Sequence, residues 1–141
     1  MNPIKTRLFV YGTFMKGERE HDLLAGATPL GPARTQKGYT LVETRALAGL
    51  LEGGDAEIAG ELYEVGPEVL RACDKRRDHP RLFERREVTL ADGATAQAYC
   101  LRQDQARGLR RIKNGDWRRR FEVPKPEGGA LVQWAKSRHR R

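Results

Sequence analysis

Apolar residues along the chain form short groups that are separated by glycine-containing turns. Groups rich in β-branched and aromatic residues predict strands at 7–11, 38–43, 56–65, 83–90 and 95–101, and a short apolar piece at 47–51 returns like a hairpin. The last two strands flank Ala91-Asp92-Gly93, which is typical of a β-hairpin turn.

Two segments carry helical patterns. Pro67 begins a predicted helix over 67–77, in which Val69, Leu70 and Cys73 share one face, and Pro80 limits its end. Charged residues before Leu23 and Leu24 predict a shorter helix over 18–24 that stops at a glycine. A turn is expected at 12–17, and a single helical turn at 131–136.

Length and composition favour one globular domain. The chain has 141 residues and a mass of 16.0 kDa, and 38% of its residues are hydrophobic, enough to bury a core. No apolar run is long enough for a membrane span or a secretory signal, so we expect a cytoplasmic protein without membrane contact. Two cysteines predict buried thiols, and three scattered histidines predict no bound metal.

Charge is distributed unevenly along the chain. Residues 1–70 contain 7 basic and 10 acidic residues, net −3, whereas residues 71–141 contain 20 and 9, net +11. The basic excess includes a C-terminal extension, residues 121–141, beyond a domain that we place at 1–120. It could contact phosphates or an acidic partner weakly and without sequence specificity, or it could be a solvated tail, since no nucleic-acid-binding motif accompanies it.

Four motifs in order carry a family resemblance. They are Phe9-Val10-Tyr11-Gly12-Thr13-Phe14, Gly60 to Val65, Asp74 to Arg85, and Gly115-Asp116-Trp117. Together they resemble the γ-glutamylcyclotransferase-like family, also called AIG2-like. The resemblance implies an α+β fold, a small mixed β-barrel of about five or six strands with two or more short helices packed outside. It also implies a ligand pocket at Tyr11, Gly12, Thr13 and Phe14.

The chemistry implied by the resemblance needs no metal or cofactor. The α-amine of a γ-glutamyl amide attacks its own side-chain carbonyl, which releases an amine and 5-oxoproline. One glutamate in the family carries the protons between the two nitrogens. Backbone N–H groups at the turn can hold an oxyanion or carboxylate, and Gly12 lets the backbone approach it closely.

Arg77 occupies the position that the resemblance assigns to the family's glutamate. A guanidinium stays protonated and cannot act as a base. Asp78, one position along, is the tentative substitute, although on a helix it would point about 100° away. Weaker candidates are Glu61, Asp74, Glu84 and Glu87, and His79 is expected to be a surface residue at the helix end.

Two functions remain open from the sequence. The chain is either a cyclotransferase for γ-glutamyl amines, impaired or altered by Arg77, or a non-catalytic module that binds a small anion or a partner in the family pocket. In the second reading Arg77 would pair with a carboxylate or phosphate of the ligand. A measurement of turnover distinguishes the cyclotransferase from the binding module.

Overall fold

A computed structural model describes residues 4–122 of the chain. The predicted helical turn at 131–136 and most of the basic extension therefore lie outside the described residues. The described part has one α-helix, α1 (Pro67–Arg76), and short 3-10 turns at Gly12–Phe14, His21–Leu24, Gln103–Gln105 and Trp117–Arg119. Its strands are β1 (Thr6–Val10), β2 (Thr28–Arg34), β3 (Tyr39–Thr44), β4 (Leu47–Glu52), β5 (Ala59–Val65), β6 (Phe83–Thr89), β7 (Thr95–Leu101) and β8 (Arg110–Arg111).

The strands form one mixed sheet that curls into a half-barrel. Its order is β2-β5-β1-β7-β4-β3-β8, and β6 pairs with β7. The β1–β7 and β4–β7 pairs are parallel, and the others are antiparallel. A bridge between Thr35 and Leu90 brings the segment after β2 against the segment after β6. The α+β class and the curled sheet confirm the prediction.

Strand β1 is buried on both faces, and its side chains enter two separate hydrophobic clusters. Phe9 points into the curl of the sheet with Leu41, Leu50 and Ile58. Leu8 and Val10 point to the opposite face, where the helix packs through Cys73. This alternation follows from the two-residue period of a strand, and it places the turn after β1 between the two clusters.

Helix α1 is fixed to the sheet by a polar cluster at its C-terminal half. Asp74 accepts hydrogen bonds from the Tyr99 hydroxyl at 2.6 Å and from the Arg85 guanidinium at 2.7 and 3.2 Å. His79, just beyond the helix, accepts from the Arg85 backbone N–H at 3.0 Å. Burial and the neighbouring Asp74 raise the pKa of Tyr99, so its hydroxyl stays protonated and donates.

The observed strands differ from the prediction in number. The eight strands exceed the expected five or six, and β2 was not predicted because its sequence, Thr-Pro-Leu-Gly-Pro-Ala-Arg, contains two prolines and a glycine. Such a segment is tolerated only at a sheet edge, where β2 lies. The expected helix over 18–24 is a 3-10 turn, His21–Leu24, and α1 is the one α-helix within residues 4–122. The predicted helix over 67–77 matches α1 to within a residue.

Gly60 provides a test of the close contact between β1 and β5. A Cβ at this position would meet the Val10 carbonyl oxygen and lie 2.7 Å from the Phe9 ring, both of which are fixed in the core. We expect Gly60→Ala to lower the free energy of unfolding by about 2 kcal/mol or more, since overpacked sites cannot relax cheaply. Urea unfolding measures it.

Gly26→Ala is the matched control, because a Cβ there is exposed and makes an ordinary 3.4 Å contact with Val69. We expect its effect to stay within about 0.5 kcal/mol. Equal losses in the two variants would contradict the packing of β1 against β5.

Candidate functional site

The turn after β1 begins at Gly12, which has a left-handed backbone with φ +65°. Because glycine has no Cβ, Ala48 of β4 can pack against it. A Cβ at position 12 would lie 2.8 Å from the Ala48 Cβ, which is too close. Gly12 thus allows close packing of the turn against the sheet. The close approach of Gly12 to a ligand stays a prediction, and a side chain at this position would strain the fold itself.

Tyr11 and Phe14 are buried on either side of this turn. The Tyr11 hydroxyl donates to the Tyr99 carbonyl oxygen and accepts from the Leu50 N–H at 3.0 Å. Burial raises the pKa of Tyr11, which keeps the hydroxyl a donor. Both hydrogen-bonding capacities of Tyr11 are therefore used within the protein.

Arg77 follows the last residue of α1 and turns into the protein, where its side chain is 4% exposed. Its guanidinium donates to Glu20 at 2.8 and 3.2 Å and to the Thr13 hydroxyl at 3.2 Å. The guanidinium carbon also lies 3.9 Å from the centre of the Phe14 ring. The anion beside Arg77 in the structure is thus a carboxylate of the chain itself.

Glu20 reaches this position because the turn folds back on itself. Its backbone N–H donates to the Thr13 carbonyl oxygen at 2.9 Å, and its carboxylate, 8% exposed, accepts from the Thr13 hydroxyl. Arg76 adds a contact at 3.3 Å from the solvent side. Burial alone would raise the pKa of Glu20, but the hydrogen bonds from Arg77 and Thr13 outweigh it, and the pKa is lowered.

Asp78 directly follows Arg77 in the chain. It is exposed, and its backbone has φ +53°. The structure does not bring its side chain to the cluster formed by Thr13, Glu20 and Arg77.

The weaker carboxylate candidates are engaged elsewhere. Glu61 accepts from the Lys16 N–H at 2.8 Å and from the Tyr63 hydroxyl at 2.9 Å, and Asp74 holds the end of α1. Glu84 pairs with Arg86 at 3.3 Å, and Glu87 is exposed. Glu20 is consequently the carboxylate that the fold places against Thr13.

A cavity of about 370 Å³ opens beside Thr13. The 3-10 turn at Trp117–Arg119 closes one side of it with Trp117, and the turn between β3 and β4 forms another side. The remaining lining residues are Gly17, Glu18, Arg19, Glu43, Arg45, Ala46 and Arg120. Of the four residues predicted to bind substrate, Thr13 lines this cavity, whereas Tyr11, Gly12 and Phe14 do not.

Comparison with known proteins agrees with this architecture. The family model described as gamma-glutamyl cyclotransferase, AIG2-like, matches residues 8–119. The chain belongs to this family. A relative from Vibrio cholerae, named "Putative gamma-glutamylcyclotransferase", is 34% identical over 78% of this chain and 93% of its own length.

Two further cyclotransferase-like proteins extend the comparison. The gamma-L-glutamyl-butirosin B gamma-glutamyl cyclotransferase of Niallia circulans is 37% identical over 55% of this chain and 52% of its own length. The crystal structure of an AIG2-like protein from Mus musculus has a TM-score of 0.65 and 22% identity, covering 90% of this chain and 92% of that one. The structural likeness establishes a γ-glutamylcyclotransferase-like fold.

Glu20 is the site residue that sequence reasoning missed in this γ-glutamylcyclotransferase-like chain. The charged residues at 18–22 resemble an exposed helix face, and no spacing connects Glu20 with Arg77 across 57 positions. One signal was available. An arginine at the position that the resemblance assigns to a residue of the pocket requires an acidic partner if it is buried, because an unpaired buried charge is strongly destabilising.

Several arginines of β8 and of the segment after it are paired within the described residues. Arg110 and Arg120 contact Glu43, at 2.9 and 3.6 Å, and Arg118 contacts Glu18 at 3.4 Å. Much of the basic charge at 110–120 is therefore compensated locally. No helix of the described residues is long and apolar enough to span a membrane.

The buried pair predicts a specific dependence of stability on pH. Because the pKa of Glu20 is lowered on folding, its contribution is fully present above the ordinary glutamate pKa of 4.5 and is lost as pH falls through the lowered value. We expect Glu20→Gln to cost about 3 kcal/mol at pH 7, since it leaves Arg77 buried and unpaired. The difference from wild type should shrink below pH 4.5, as urea unfolding across pH measures.

Glu57→Gln is the control, because Glu57 is 39% exposed and makes only a 3.8 Å surface contact with Arg34. Its cost should stay within about 0.5 kcal/mol at neutral pH. A cost for Glu20→Gln that is small at pH 7, or constant across pH, would contradict the ion pair.

Proposed function

We propose that this chain binds a γ-glutamyl amine or a related small amide in the cavity beside Thr13, and that its cyclotransferase chemistry is impaired. The observation that carries the proposal is the Arg77–Glu20 pair, with its 2.8 Å contact and 4% exposed guanidinium. It occupies the position that the family resemblance assigns to the proton-carrying glutamate. Membership of the family and the relative that acts on γ-L-glutamyl-butirosin B support the substrate class.

Cyclisation of a γ-glutamyl amide requires two proton movements at the site, after the α-ammonium has lost one proton to solvent. The resulting amine must lose a second proton as its nitrogen forms a bond to the γ-carbonyl carbon. The bond between that carbon and the departing nitrogen then breaks, and the departing nitrogen must receive a proton to leave as an amine. A single carboxylate whose pKa allows both forms can take the proton from the attacking nitrogen and give it to the departing one.

The Arg77–Glu20 pair is poorly suited to both movements. Arg77 cannot release its proton at ordinary pH. Glu20 is ionised, but hydrogen bonds from Thr13, Arg76 and Arg77 occupy its oxygens, and its lowered pKa makes it a weak base. Because the pKa of Glu20 is lowered, little of the protonated acid is present to donate to the leaving nitrogen.

A non-catalytic role in binding a small anion is the second candidate. It is favoured by the three arginines that line the cavity, Arg19, Arg45 and Arg120. In this role the arginines would hold a carboxylate or phosphate without turnover. The two candidates share the cavity and differ in the chemistry at position 77.

The decisive experiment restores one carboxylate at position 77 without placing a second carboxylate beside it. In the double variant Arg77→Glu, Glu20→Gln the new carboxylate can accept from Thr13 and from the amide at position 20. We expect release of 5-oxoproline from a γ-glutamyl alkylamide to rise about 10²- to 10⁴-fold over wild type, the usual contribution of general acid–base catalysis. Chromatographic detection of 5-oxoproline measures it.

Two single variants complete the experiment. Glu20→Gln alone removes the carboxylate without restoring one at position 77, and should stay inactive. A wild type that is already fast and is silenced by Glu20→Gln or by Asp78→Asn would contradict the proposal and assign proton transfer to that residue. A double variant that binds the amide but stays silent would leave anion binding as the function.

Contact between the basic C-terminal part and nucleic acid is also a proposal. We expect weak, sequence-blind binding of unrelated duplexes, because the described arginines at 110–120 are largely paired with glutamates. Each phosphate contact should add about 0.9 to the slope of log affinity against log salt. Fluorescence anisotropy with two unrelated duplexes tests it, and tight, sequence-selective binding lost on removal of 118–141 would contradict it.

A further inference from the structure

The loop formed by residues 15–18 connects the two residues that contact Arg77. Thr13 precedes the loop, Glu20 follows it, and Glu18 within it lines the cavity beside Thr13. The loop belongs to no helix or strand. Its position therefore depends on contacts with other segments of the chain.

Both backbone groups of Lys16, in the middle of this loop, are bound by side chains from elsewhere. Its N–H donates to the Glu61 carboxylate of β5 at 2.8 Å, and its carbonyl oxygen accepts from the Arg118 guanidinium. Arg118 also contacts Glu18 at 3.4 Å and lies 3.7 Å from Glu61. One guanidinium thus joins the loop at two points and the acid of β5 at a third, which its forked geometry permits.

Arg118 belongs to the 3-10 turn Trp117–Arg119, which we call the Trp117 turn, and this turn is attached to the sheet at its other side. Asp116 caps it, because the Asp116 carboxylate accepts from the Arg118 N–H at 3.0 Å. Gly115 packs against the backbone before β5 too closely for a Cβ, and its carbonyl oxygen accepts from the first N–H of β5 at 2.9 Å. Trp117, 4% exposed, is thereby held at the cavity wall.

The contacts of Arg118 differ from those of an ordinary surface ion pair. Such pairs stabilise a protein little, because their side chains stay solvated. One acceptor of Arg118, however, is the backbone carbonyl of Lys16. Loss of the guanidinium therefore frees a segment of chain and not only a partner side chain.

We infer that Arg118 is a positioning residue for the cavity beside Thr13. It holds the loop 15–18 against the Trp117 turn, so that the two form adjoining walls around a bound ligand. The inference rests on the proposed function, since it takes this cavity as the place of the γ-glutamyl compound. Release of Arg118 should leave the fold intact, let the loop and Trp117 open towards solvent, and speed the departure of the ligand.

Acrylamide quenching of Trp117 fluorescence measures the opening without a ligand. Trp134→Phe makes Trp117 the only tryptophan of the chain. In this background Arg118→Gln should raise the quenching constant about threefold or more. Hydrogen exchange of the Glu18 N–H, which donates to the Met15 carbonyl oxygen at 2.9 Å, should become about five- to tenfold faster.

Arg86→Gln is the matched control. Arg86 is 53% exposed, close to the 43% of Arg118, and contacts two glutamates at 2.7 and 3.3 Å, but it lies outside the lining of this cavity. It should change neither the quenching nor the exchange, and Arg118→Gln should lower the urea midpoint no further than it does. Glu61→Ala removes the acceptor of the Lys16 N–H. It should speed the same exchange, and it decides the inference if Arg118→Gln does not fold.

Binding of γ-glutamyl propylamide connects this opening with the ligand. Arg118→Gln should raise the Kd about fivefold, chiefly through faster dissociation, whereas Arg86→Gln should leave it within about twofold of wild type. Stopped-flow fluorescence of Trp117 measures both rates.

The outcomes separate the inference from the proposed function. Unchanged quenching and exchange in Arg118→Gln, or equal changes in Arg86→Gln, overturn the inference alone. An opened loop with unchanged dissociation of the ligand also overturns it, because Arg118 then serves the fold only. If wild type binds no γ-glutamyl amide, the proposed function fails, and quenching and exchange alone decide whether Arg118 closes the cavity.

Discussion

The ion pair between Arg77 and Glu20 connects the three parts of the molecule that meet at the site. Arg77 belongs to the end of α1, Glu20 to the segment before the second 3-10 turn, and Thr13, which contacts both, to the turn after β1. Neither charge tolerates burial alone, so each segment is stable in its position only while the others are in theirs. The stacking of Arg77 on Phe14 extends this dependence to the core between helix and sheet.

The same contacts limit the chemistry that the site can perform. A proton carrier needs a carboxylate with a free oxygen and access to both protonation states, whereas a structural carboxylate is most useful when it is permanently ionised and saturated with donors. Glu20 meets the second description, because Thr13, Arg76 and Arg77 donate to it and its pKa is lowered. Under the proposed function, the stability that the pair supplies would therefore be opposed to proton transfer at this position.

Local pattern predicted the parts of the fold that depend on neighbouring residues. The hairpin of β6 and β7 and the extent of α1 follow from turn residues and helical spacing within one segment. Strand β2 was missed because its prolines and glycine argue against a strand. It forms a strand because it lies at the sheet edge, where it pairs with β5 alone. Glu20 was missed for a related reason. Its role depends on a contact 57 positions away, which no local periodicity encodes.

The hydrogen bonds to Asp74 show how the fold can stay the same while the residue at position 77 changes. Tyr99 and Arg85 hold Asp74, and thereby the end of α1, through contacts that do not involve the side chain of Arg77. Residues of the sheet thus orient the backbone at position 77, and the side chain at this position points towards Thr13. A carboxylate at that place would be a free acid–base group, whereas a guanidinium requires an acidic partner and finds it in Glu20. Under the proposed function, the fold would set where chemistry occurs, and the identity of the residue at position 77 would decide whether a proton can move.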